Sequence, residues 1–236
     1  MSDELQVTGM VLSVFSSGEY DRRLVILTRE RGKITAFARG AKKPTSRLLA
    51  ATNPFAFGQF TLYEGRSAYT LVHAEIRQYF RDVMADFAAT CYGIYFMEVA
   101  EYYSRENLDA ADLLNLLYAS LKALLRPGLP RQLVRAVFEL KVLQLDGEYP
   151  YETAEDASLM EATRYAVAFC LNAEMKNLFS FTLKPEVQDE FCRVQRKLLQ
   201  RTAGGRFKSE EMLEFLLSSA YNGQESHVYE NQKRDL

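Results

Sequence analysis

The hydrophobic period of this chain changes once, near residue 80, and that change restricts the fold more than any other feature. Before it, apolar residues alternate with polar ones. Leu5, Val7, Gly9 and Val11 are spaced by two, which places one set of side chains on one face of a strand. Residues 23–28 form a short β-rich run, residues 30–33 have the composition of a tight turn, and residues 33–38 follow as the hairpin partner. Two more strands are predicted over 55–63 and 68–76, separated by a turn at 64–67. The gap from Arg39 to Pro54 is long enough for a loop and a short helix. Five short strands with an insertion after the third fit a small OB-type barrel. An SH3-like barrel fits the strand count nearly as well.

After residue 80 the spacing becomes helical. Phe80, Val83, Met84, Phe87, Ala88, Cys91, Ile94 and Tyr95 recur at the 3.6-residue period of one buried helix. A second helix is predicted from Asp109, as its N-cap, to Leu125, stopped by the Pro- and Gly-containing residues 126–130. A third spans 131–145 and ends at Asp146 and Gly147. Further helices are expected at 158–176, at 185–202 and at 209–221, followed by a polar, frayed tail over 222–236. Pro185 suits a first helical position, where its missing N–H costs little. The fold class is therefore α+β: a five-stranded OB-fold barrel over residues 1–79, then an all-α region over 80–236. The 236 residues suffice for two such units at roughly 100–200 residues per domain.

Charge divides at the same place. The whole chain carries 29 basic and 31 acidic residues. The first eighty residues carry 11 Lys and Arg against 7 Asp and Glu, a net +4, which leaves −6 for the rest. A basic segment joined to an acidic one points to polyanion binding by the first. The richest stretch is Arg39-Gly-Ala-Lys42-Lys43-Pro-Thr-Ser-Arg47, four cations with no acid among them. Phosphate oxygens attract such side chains, and backbone N–H groups near glycine can approach closely. Arg39, Lys42, Lys43 and Arg47 are the first candidates for DNA contact, with Arg22, Arg23 and Arg66 second. Phe37, Phe55, Phe57, Phe60, Tyr63 and Tyr69 could stack on bases, although most of them suit a barrel core better.

Catalytic chemistry finds little support. Asp82 and Asp86 could share a helix face, as could Glu98 and Glu101, but no His or Cys accompanies them. His73 falls in a strand and His227 in the tail. There is no Walker A motif and no Gly-x-Gly-x-x-Gly. Cys91, Cys170 and Cys192 form no Cys-x-x-Cys, which excludes a four-cysteine zinc site and a disulfide framework. The expectation is a non-enzyme with reduced thiols, no metal and no cofactor. No uncharged apolar stretch approaches the ~18 residues of a spanning helix, and the N-terminus has no basic, apolar leader. A cytoplasmic, nucleoid-associated protein with no membrane partner is expected. Arg131, Arg135 and Lys141 lie on a helix rich in Leu, Val and Phe138. An apolar groove rimmed by those cations would suit an acidic, hydrophobic peptide; an ordinary amphipathic core helix is the plainer alternative.

Several of these segments carry a family resemblance. The opening strand at Val7–Val11, the Thr28-Arg-Glu-Arg-Gly32 turn with Lys33, and Phe37-Ala-Arg-Gly-Ala-Lys-Lys-Pro-Thr-Ser-Arg47 resemble the RecO family of bacterial recombination mediators. Pro54-Phe55 and Leu62-Tyr63 continue the match. Phe138-Glu-Leu-Lys-Val-Leu143 with Gly147, Tyr149 and Pro150 is similar to the family's central helix and its exit. Leu178-Phe-Ser-Phe181 and Phe207-Lys-Ser209 resemble the end of members without zinc. Many members place two Cys-x-x-Cys pairs after the central helix; Cys170 and Cys192 cannot do so, and the resemblance implies no zinc here. It implies an OB barrel before a helical domain, binding to single- and double-stranded DNA, and annealing of complementary strands. It also implies contact with the C-terminal tail of single-stranded DNA-binding protein, which would give Arg131, Arg135 and Lys141 a role. With RecR, such a protein helps load RecA on gapped DNA. Two rival readings are a protein-interaction adaptor using an OB-like barrel, and a metal-dependent nuclease using the helical acids.

Overall fold

In the computed structural model, residues 4–205 and 207–215 are described. Five strands open the chain: β1 (Glu4–Ser17), β2 (Asp21–Thr28), β3 (Gly32–Ala38), β4 (Phe57–Glu64) and β5 (Tyr69–Gln78). They close into a barrel in the order β1-β2-β3-β5-β4. All pairs are antiparallel except β3 with β5.

β1 is long because it serves two neighbours. Its first half pairs with β4, from Glu4 opposite Tyr63 to Met10 opposite Phe57, and its second with β2, from Gly9 opposite Thr28 to Ser17 opposite Asp21. An irregularity between Val11 and Ser13 bends the strand where it changes partner, the usual effect of a bulge. Val7, Val11, Leu24, Ile26, Ile34, Ala36, Phe60, Leu62 and Leu71 fill the interior. Along β3 every second residue is buried, the physical form of the period-two pattern.

The gap between β3 and β4, long enough for a short helix, holds none; residues 39–54 run through successive turns. Bonds such as Lys43 N to Gly40 O (3.1 Å) and Ser46 N to Lys43 O (2.9 Å) close single turns without continuing. Pro44 sits between them and has no N–H to pass a helical ladder on.

Six helices follow: α1 (Arg81–Ala85), α2 (Phe87–Tyr103), α3 (Ala111–Ala123), α4 (Arg131–Leu145), α5 (Glu161–Asn172) and α6 (Pro185–Thr202). The single helix predicted from Phe80 to Tyr95 is broken at Asp86, whose backbone is extended. Its carboxylate accepts from Ala89 N at 2.9 Å, so it ends one helix and caps the next. α3 starts two residues after its predicted cap, although Asp109 still accepts from Ala111 N. α5 is shorter than the 158–176 expected, with 3-10 turns at Tyr151–Glu155 and Met175–Asn177 on either side. α4 and α6 have the predicted bounds. Residues 208–215 are helical; the rest of the helix expected to 221, and the 222–236 tail with His227, lie outside the described residues. No helix among the described residues is long and apolar enough to cross a membrane.

One side of the barrel is built into the helical core. Met10, Leu12, Leu27 and Phe55 belong to the same buried cluster as Tyr95, Phe96 and Phe138. The β2–β3 turn is sealed to the α2–α3 connection by Lys33 N to Arg105 O, Asn107 N to Arg31 O and Ala110 N to Arg29 O, each 3.0 Å. Gly32 makes this approach possible: its φ is +62°, and a Cβ there would lie 2.0 Å from Arg105 O. With that end closed, the opposite end of β2 and β3 faces outward with the 39–47 loop.

Candidate nucleic-acid interface

The outward end is assembled from the β1–β2 turn and the basic loop. Asp21 Oδ1 accepts from Gly40 N at 2.7 Å, and Lys42 N donates to Tyr20 O at 2.9 Å. Lys42 Nζ donates to Gly18 O at 3.0 Å. These bonds lay the loop across the turn. Arg22 fixes the next stretch: its Nη1 donates to Leu49 O, Thr52 Oγ1 and Asn53 Oδ1 at 3.1, 2.8 and 2.9 Å. Arg22 thus departs from its expected role, because its guanidinium holds the loop and does not face solvent alone.

Arg23, Arg39, Lys43 and Arg47 are exposed, and Lys42 is half-buried. Every ion pair among the described residues lies at or beyond Asp86, so none of these five cations is neutralised by an ion pair. Two exposed aromatic rings stand among them. Arg23 Cζ lies 4.5 Å from the centre of the Phe15 ring, and Lys43 Nζ 5.4 Å from that of Tyr20. Phe15 and Tyr20 are each 45% exposed. Register places Phe15 opposite Arg23 and Arg23 opposite Phe37, a row across three strands on the outer face. Cations offer phosphate contacts, and exposed rings offer base stacking worth about 1–3 kcal/mol per base.

The sequence reading missed Phe15 and Tyr20. Gly18 was the available signal: a turn there folds residues 15–17 back against 21–23 and brings Phe15 to Arg23. Of the aromatics it did name, Phe55 and Phe60 are buried, Phe57 stacks on Tyr118 at 4.8 Å, and Phe37, Tyr63 and Tyr69 reach the surface. Arg66 stands apart, in a cavity shared with Lys33, Glu64 and Glu106 at the sealed end of β3.

Arg131, Arg135 and Lys141 do not form a common rim. Arg131 grips Asp86 with two nitrogens and donates to Leu124 O. Arg135 is 6% exposed, bonded to Glu139 (2.6 Å) and Glu210 (2.7 Å). Lys141 is buried against Gln144 and Leu171 O, and burial lowers its pKa. Arg131 and Arg135, four residues apart, share one helix face and Lys141 lies on another; all three meet partners within the chain.

Of the paired acids, Asp82 is exposed and the other three have partners within the chain. The Ala89 N–H and then Arg131 hold the Asp86 carboxyl below its usual range. Glu98 accepts from Lys208 N and Ser209 N, and Glu101 from Ser13 Oγ. The cysteines are free thiols; burial pushes Cys170 and Cys192 up to about 12. Among the described residues no group of three or more His, Cys, Asp or Glu could hold a metal ion.

Comparison with known proteins agrees across the chain. The sequence profile described as recombination protein O N terminal matches residues 1–80, and that described as recombination protein O C terminal matches residues 84–158. The DNA repair protein RecO of Acetivibrio thermocellus is 28% identical over 228 residues, 83% of this chain and 90% of that protein. That of Bacillus subtilis is 29% identical over 184 residues, 75% of this chain and 72% of that protein. That of Heliobacterium modesticaldum is 38% identical over 141 residues, 60% of this chain and 50% of that protein. Both profiles of one family, in order, on a closed five-stranded barrel followed by helices, place this chain in the recombination protein O family, whose role is DNA repair and recombination.

Proposed function

We propose that this chain is a non-catalytic mediator of recombinational repair that binds single- and double-stranded DNA and anneals complementary strands. The observation that carries the reading is the exposed group Arg23, Arg39, Lys43 and Arg47 beside Lys42, free of ion pairs and interleaved with Phe15 and Tyr20. Cations hold the phosphates and screen the repulsion between two strands, while the rings hold bases of an unpaired strand. Residues 1–79 act as the DNA-binding part and 80–236 as the partner-binding part. Partners are the acidic tail of single-stranded DNA-binding protein and RecR, and the outcome is RecA loading on gapped DNA. A cavity of about 250 Å³ supports the tail contact. Tyr92, Ala136 and Cys192 line it with Arg135, Arg193 and Arg196, and so does Glu139, whose carboxylate is paired with Arg135.

The test is binding of fluorescent single-stranded DNA over a salt series. The wild type is compared with a variant carrying Arg39, Lys42, Lys43 and Arg47 all changed to Ala. Each lost phosphate contact should flatten the log–log salt slope by about 0.7. Equal slopes in a folded variant would refute the barrel-loop site. No binding by either protein at low salt would favour the adaptor reading.

A further inference from the structure

The chain leaves α6 through a turn in which Gly204 has a φ of +71°, and residues 207–215 then fold back onto α2, α4 and α6. Their attachment combines ion pairs with apolar contact. Glu210 is 1% exposed, and its Oε1 accepts from Arg135 (2.7 Å), Arg196 (2.9 Å) and Gln200 (3.0 Å). Glu214 pairs with Arg196. The Glu98 carboxylate receives the N–H groups of Lys208 and Ser209 at the start of the run. Apolar contact includes Phe207, which stands edge-on to Tyr95 and Tyr102, and Leu213, both part of the main buried cluster; Met212 Sδ lies 3.3 Å from Cys91 Sγ.

The receiving site is built without this segment. Arg135 Nε is held by Glu139 on its own helix at 2.6 Å, its Cζ lies 4.4 Å from the centre of the Tyr95 ring, and Tyr95 Oη donates to Glu139 at 2.6 Å. One side of the guanidinium is thereby left to meet a carboxylate from outside these helices. Glu210 supplies it, yet its Oε2 makes no hydrogen bond. The adjoining cavity, with exposed Arg193 on its rim, is left open. A buried cation left without its acid is costly, but exchanging one carboxylate for another keeps Arg135 paired, so an external carboxylate can take the place of Glu210.

We propose that residues 207–215 are a displaceable internal cover on a cationic, apolar receptor site of the helical region, whose external ligand is an acidic segment bearing apolar side chains. This rests on the reading that the helical region carries a partner site. The cover's own sequence, Phe207-Lys-Ser-Glu-Glu-Met-Leu-Glu-Phe215, is an example of the ligand class. Binding from outside requires the cover to open, so the cover lowers apparent affinity by the fraction of time the site is free.

The probe is a fluorescein-labelled synthetic peptide of residues 207–215, added to the full chain. Weak binding to the wild type is expected. Affinity should rise by about tenfold in the Glu210→Gln/Glu214→Gln variant, where the cover is loosened, and fall when Arg196→Ala is added. Amide exchange of 208–215 in the wild type should quicken with excess peptide, while α4 stays protected. That second measurement needs no variant. Equal affinity for wild type and the double variant, unchanged exchange, or no binding to any of the proteins would overturn the proposal. DNA binding through the barrel is read separately: loss of the DNA result with peptide exchange intact would remove the mediator reading and leave the cover standing.

Discussion

The barrel and the helical region use the same kinds of side chain in opposite ways. In the barrel, Arg23, Arg39, Lys43 and Arg47 stand in solvent beside exposed rings and meet no carboxylate in an ion pair. In the helical region Arg135 is desolvated between two carboxylates, Arg131 grips Asp86, and Arg196 bridges to Glu210. The first arrangement leaves charge open to solvent; the second pairs it with acids of the same chain. A cation's function therefore depends on whether the fold brings it an acid, and that acid is often remote. Glu210 is 75 positions from Arg135, and Asp86 is 45 positions from Arg131.

This contrast can be broken most forcefully at Arg135. Arg135→Ala leaves Glu139 buried without its cation and Glu210 with Arg196 alone, and the expected loss is about 3–5 kcal/mol of stability, measured by urea unfolding. A loss under about 1 kcal/mol would place Arg135 with the surface cations. Next in size is the seam between the regions. Gly32→Ala forces a side chain into left-handed backbone, at about 1–3 kcal/mol, and against Arg105 O. Hydrogen exchange should then quicken at Lys33, Asn107 and Ala110 while the barrel interior remains protected; no change there would mean the seam is not rigid.

Asp86→Ala removes a helix cap and should cost about 0.5–2 kcal/mol. Asp86 and Glu210 also predict an acid limit. Burial alone would raise the Glu210 carboxyl, but Arg135, Gln200 and Arg196 hold it below the ordinary value of 4.5, as Ala89 N–H and Arg131 hold Asp86 below 3.8. Such groups bind protons more tightly when unfolded. Their stabilisation is present above those ordinary values and is lost as pH falls through the lower folded ones. Stability of the wild type should decline over that acidic range, and Asp86→Ala should flatten part of the decline. The smallest effect on stability is expected for the fourfold Ala variant of Arg39, Lys42, Lys43 and Arg47, within about 0.5 kcal/mol of wild type. Arg22→Ala sharpens the contrast inside the barrel. It releases Leu49, Thr52 and Asn53 from their staple, so it should lower both loop protection and DNA affinity.

Much of the fold is legible because the determining signals are local. The alternation along β3 and the period of α4 each reflect one face meeting one core, and Pro185 marks a helix start by its own geometry. Where the reading went wrong, the deciding contact came from a neighbour or a single residue's conformation. Pro44 has no N–H for Gly40 O, so the turn at Gly40 does not continue as a helix. Asp86 breaks a continuous apolar helix because its carboxylate binds Ala89 N–H and Arg131. At the candidate interface, the basic loop stands out by composition, while Phe15 and Tyr20 do not, because an exposed aromatic in a strand looks the same as a buried one until register is known.

The order of strands and helices, the division near residue 80 and the concentration of cations in residues 39–47 follow from the sequence alone, since period and composition act over a few neighbouring residues. Tertiary structure decided which cations remain available. It turned Arg22 into a staple, moved Arg66 to the far end of β3, and buried Arg135 beneath Glu210. The physical reason is that a charge is defined by its surroundings: solvent leaves it open, while a distant carboxylate brought within 3 Å in a desolvated site pairs it inside the chain.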